Sequence, residues 1–173
     1  MGTDAPDARF TVADLVAVIL GAAVAMTLMR SVGGVGGSAA GLVLGGLAGF
    51  LTAVTASGPF VVLARRWLRP GRDCPRIGEW LWAALGTPFV LTAIVQSARG
   101  PDAARDQVLG WVLGGGMAVV TVVASVGLAR WVEAGPDEAS EMAGGPWTNR
   151  VGFMLAVALP LQVGLVLLFL APS

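Results

Sequence analysis

The chain has 173 residues, 55% of them hydrophobic and 13% charged, with a formal net charge of zero and no histidine. Charge at about half the usual 25% of a soluble domain, with mean hydropathy of +0.77, argues against an ordinary soluble fold. The neutral balance gives nucleic acid no electrostatic footprint. The missing histidine removes the commonest metal ligand and general base, and the lone Cys74 excludes an internal disulfide or a Cys-pair metal site.

The tail MGTDAPDARF, residues 1–10, is polar and acidic. It lacks the basic start of a secretory signal, so the apolar stretch after it is read as a retained helix. That first span covers about residues 11–29. Thr11 followed by Asp14 fits a capping box, with the acid at the positive end of the helix dipole. Asp14 lies within one turn of the helix start, which suits capping better than ion or proton binding.

A turn over residues 30–36 leads to a second span at about 37–63. This is long for a bilayer core of about 30 Å at about 1.5 Å per residue, and Pro59 is expected to kink it. Gly37, Gly41, Gly45, Gly49, Ala53 and Ser57 recur every fourth position and share one helix face. In water such a run is a poor helix and a good linker. Between apolar neighbours it is a groove into which another backbone can press, held by dispersion and weak Cα–H···O contacts. Residues 37–56 hold seven Leu, Val or Phe against thirteen in 151–170, so this helix inserts weakly alone. The groove's partner is either another helix of the chain or another subunit. Shorter versions occur at Ala17, Gly21 and Ala25, at Gly110, Gly114 and Ala118, and at Gly152 and Ala156.

The loop that follows concentrates charge. Arg65, Arg66, Arg69, Arg72 and Arg76 fall within twelve residues, among Trp67, Trp80 and Trp82. Such a cluster either grips anionic lipid headgroups or sets orientation alone. The third span, about 79–96, contains Pro88; the fourth covers about 107–129. An acidic Gly- and Pro-rich loop over 131–149 precedes the last span, about 151–170, with Pro160 and Gln162 inside. A Gln beside a Pro-freed carbonyl can line a polar pathway, with Ser57 as a second polar group near a proline.

With five spans, the even-numbered loops and the N-terminus share one side. That side holds Arg9, Arg65, Arg66, Arg69, Arg72, Arg76, Arg130 and Arg150, against Arg30, Arg99 and Arg105 on the other. The positive-inside rule then puts the N-terminus inside and the C-terminus outside. Enzyme readings lack a nucleophile–base pair, a Gly-x-Ser-x-Gly elbow and paired membrane aspartates. The sequence therefore predicts an all-α integral membrane protein, a single domain of five transmembrane helices over residues 11–171, in a bacterial cytoplasmic (inner) membrane. The expected role is a non-catalytic packing or accessory subunit, or a homo-oligomer held by small-residue faces. The alternative is a small transporter or channel-like protein with its pathway near the prolines. Expected partners are the bilayer, anionic lipids at the Arg-rich loop, and other membrane subunits or a second copy. No cofactor, metal or nucleic acid is expected.

Overall fold

A computed structural model describes residues 10–31, 39–68, 76–99, 107–133 and 146–158. Its regular elements are five α-helices: α1 (Val12–Ser31), α2 (Ala39–Leu68), α3 (Ile77–Arg99), α4 (Gln107–Glu133) and α5 (Trp147–Val157). Three contain segments long and apolar enough to cross a membrane, at Val12–Arg30, Gly41–Leu68 and Ile77–Ala98. A shorter apolar stretch, Gly114–Gly127, lies in α4. Most of the expected fifth span, with Pro160 and Gln162, falls outside the described residues, as do Gly37, Arg69 and Arg72.

α3 is the centre of the bundle and packs against α1, α2, α4 and α5. α1, α2 and α3 run antiparallel in sequence order: Gly21 meets Ala53 and Ser57, and Gly58 meets Trp82. α3 and α5 meet where Gly78, in the first turn of α3, faces Asn149 and Gly152 of α5.

The core is built from small and medium side chains. Ala17, Ala56, Val61, Leu81, Trp82, Leu85, Phe89, Met117, Val120, Ala124, Leu155 and Ala156 form one buried cluster. Large apolar side chains instead line the outside, among them Val12, Ile19 and Met26 on α1, Leu42, Val43 and Phe50 on α2, and Val119 and Val122 on α4. Water-soluble domains do not expose contiguous apolar surface on this scale. Lipid-facing bundles do, with small residues turned inwards.

Pro59 and Pro88 lie inside continuous helices. α2 runs on to Leu68, past the expected end at 63. A proline interior to a helix leaves the carbonyl four residues earlier without its amide donor. For Pro59 that carbonyl belongs to Thr55, and Gly86 of α3 lies directly against it and against the Pro59 ring. Gly116 of α4 likewise lies against Pro88, where an added Cβ would sit 2.9 Å from the proline Cβ. Each proline thus presents its ring to a glycine on the next helix, so the absent side chain is what lets the distorted turn be covered.

The α2 face buried against its neighbours includes Ala48, Thr52 and Ala56. This row lies one position round the helix from the expected Gly45–Gly49–Ala53–Ser57 row. Ser57 is buried and, with Ala53, meets α1 at Gly21, whereas a Cβ on Gly49 would meet nothing within 4 Å among the described residues.

Gly86→Ala is expected to destabilise the protein by about 1–3 kcal/mol through overpacking against the Thr55 carbonyl and Pro59. Gly49→Ala should instead be neutral or stabilise by roughly 0.5 kcal/mol, as removing a helix-interior glycine does. Unfolding of both variants in detergent, followed by circular dichroism, checks the contrast; equal effects would refute the assigned contacts.

Candidate functional site

Three buried polar side chains, Asp14, Thr148 and Asn149, lie together at one end of the bundle. This end gathers the first turns of α1, α3 and α5 and the last turns of α2. Helix N-termini leave orphan amides, and in an apolar environment each must find an acceptor.

α1 and α3 solve this in the same way. Thr11 is the first cap: its carbonyl accepts from the Leu15 amide at 3.1 Å. The Thr11 amide and hydroxyl both donate to Asp14 Oδ2 at 2.9 Å, while the Asp14 amide donates back to Thr11 Oγ1 at 3.3 Å. In α3 the Arg76 carbonyl accepts from the Trp80 amide at 3.0 Å, and the Arg76 amide donates to Glu79 Oε2 at 3.3 Å. Each acid sits three residues after its cap, where it closes the first turn and meets the positive end of the dipole.

The remaining acceptor capacity of both acids turns to one guanidinium. Arg65 Nε donates to Asp14 Oδ1 at 3.0 Å and Nη2 to Oδ2 at 3.2 Å, a two-pronged pair. Its Nη1 donates to Thr148 Oγ1 at 3.3 Å and stands 3.9 Å from Glu79 Oε1. The Thr148 hydroxyl donates to the same Glu79 oxygen. The Arg65 side chain keeps 26% of its surface exposed and Glu79 15%, while Asp14 is fully buried. A guanidinium from the end of α2 therefore ties the starts of α1, α3 and α5.

α5 adds a second link. Its Asn149 Oδ1 accepts from the Gly78 amide at 2.8 Å, satisfying one of α3's orphan donors. Side chains on Gly78 or Gly152 would collide with the opposing backbone, so glycine at both positions permits this bond. Trp147 completes the end: its ring lies 5.3 Å under the Arg65 guanidinium carbon, 5.6 Å from Phe10 and 5.8 Å edge-on to Trp82. Trp82 Nε1 reaches the Val54 carbonyl at 2.8 Å, just ahead of the Pro59 distortion.

The residues singled out by sequence are distributed differently. Of the arginine cluster, Arg65 is turned into the bundle, whereas Arg66 and Arg76 are exposed. Ser57, considered for a polar pathway, is buried beside α1 and donates its hydroxyl to the Val54 carbonyl at 2.7 Å. Gly41 and Gly45 lie partly covered on α2; Gly114 of α4 is exposed with open space where a Cβ would stand, and Gly110 lies in the preceding turn of α4. Sequence reading found the Thr11–Asp14 cap but missed Arg65 as its partner, and it missed Gly78, Glu79, Thr148 and Asn149 altogether. The one available signal was the repeated spacing of a cap residue and an acid three positions later, at Thr11/Asp14 and Arg76/Glu79.

Among the described residues no group of three or more His, Cys, Asp or Glu side chains could hold a metal ion. No protein-family model, curated protein or solved structure matches the chain.

Removing one member of the Asp14–Arg65 pair leaves its partner buried and uncompensated. Arg65→Gln and Asp14→Asn are each expected to cost about 3 kcal/mol, the lower end for a broken buried pair because Arg65 is partly exposed. The double variant should cost clearly less than the sum, as read from unfolding in detergent micelles. Additive losses would mean that the two groups do not interact.

Proposed function

We propose that the protein is a small, non-catalytic, multi-pass membrane protein that works as a packing or accessory subunit, or as a homo-oligomer, joined through small-residue helix faces. The observation that carries this reading is where glycine stands with no neighbour among the described residues to require it. At Gly46 and Gly49 of α2, and at Gly114 and Gly115 of α4, an added Cβ would meet nothing within 4 Å among the described residues. Elsewhere in the bundle glycine sits where a side chain would collide, at Gly21, Gly58, Gly78, Gly86 and Gly152. Glycine inside a helix forfeits about 0.5–1 kcal/mol relative to alanine, and a close-packed helix from another subunit is the compensation that membranes commonly supply.

The proposal includes five spans in a bacterial inner membrane, with the Arg65 end on the cytoplasmic side. Three helices of sufficient length and apolarity support it, together with the excess of arginines on the side of that end.

Native mass spectrometry after gentle detergent extraction should find the protein in a defined complex, with itself or with stoichiometric companions. Gly49→Leu, at a position with room among the described residues, should abolish that complex and leave helical content unchanged. A monomer in the wild type, or a complex indifferent to the substitution, would refute the assembly role. Reporter fusions at the two ends of the chain should fall on opposite sides of the membrane; reporters on the same side would exclude five spans.

A further inference from the structure

We draw no further inference here: the strongest candidate, the buried indole N–H of Trp147 in the side-chain cluster at the start of α5, which has no hydrogen-bond acceptor among the described residues although Arg65, Phe10 and Trp82 close round its ring, belongs to the polar end already described, and nothing in the structure shows what would accept from it.

Discussion

The bidentate pair between Asp14 and Arg65 is the constraint on which the rest of the described structure depends. A fully buried carboxylate beside apolar helices is costly unless its charge and every lone pair are answered. Asp14 is answered from two directions: Thr11 supplies an amide and a hydroxyl, and Arg65 supplies two N–H groups. The first closes the start of α1 and the second pins it to the end of α2. Arg65 then faces a second acid, Glu79, with Thr148 between them. Two carboxylates against one guanidinium leaves a formal excess of negative charge, but three helix N-termini converge on the same place. Each carries about half a positive charge, and α2 contributes a negative terminus that favours Arg65. Backbone dipoles therefore add to the balance that Arg65 supplies.

That end fixes the register of the helices, and glycines then set their separation. With Asp14 opposite Arg65, antiparallel travel brings Gly21 to Ala53 and Ser57. With Arg65 close to Glu79, the same geometry brings Gly58 to Trp82, and Gly86 to Thr55 and Pro59. Further along α3, Pro88 meets Gly116 of α4. These contacts explain how two helices keep their prolines without ending at them. The distorted turn is roofed by a neighbouring backbone that comes close because nothing projects from it, and Trp82 Nε1 supplements the hydrogen bonding of the turn before Pro59.

Helix existence was legible in the sequence because it depends on local quantities. Long uncharged runs and polar, glycine- or proline-rich breaks located α1 to α4 within a few residues, apart from the longer ends of α2 and α4. The α1 cap was legible for the same reason: Thr11 and Asp14 are three residues apart. What was not legible is long-range. Arg65 lies 51 positions from Asp14, and five arginines in one stretch give no local reason to choose it. The small-residue pattern was legible as a tendency but not as an orientation. Among abundant Gly and Ala, rows 48–52–56 and 49–53–57 look alike, and the inward face of α2 is chosen by where α1 and α3 lie. Gly78 and Gly152 form the closest α3–α5 approach because Asn149 must reach an orphan amide, a requirement visible only once the two first turns are adjacent.

The acids explain why the two ends of the bundle differ. Among the described helices, first-turn acids occur in α1 and α3, and none occurs in α2, α4 or α5. In an up-and-down arrangement the odd-numbered helices start at one end and the even-numbered helices at the other. Capping by acids on α1 and α3 therefore places both inward-turned carboxylates at a single end. A compensating cation must then come from a helix that finishes there, and the last turns of α2 provide it in Arg65. α5 starts at the same end without an acid of its own, but its Thr148 and Asn149 reach Glu79 and the Gly78 amide. A local rule for starting helices, repeated on alternate elements, thus becomes a difference in charge and chemistry between the two ends of the molecule.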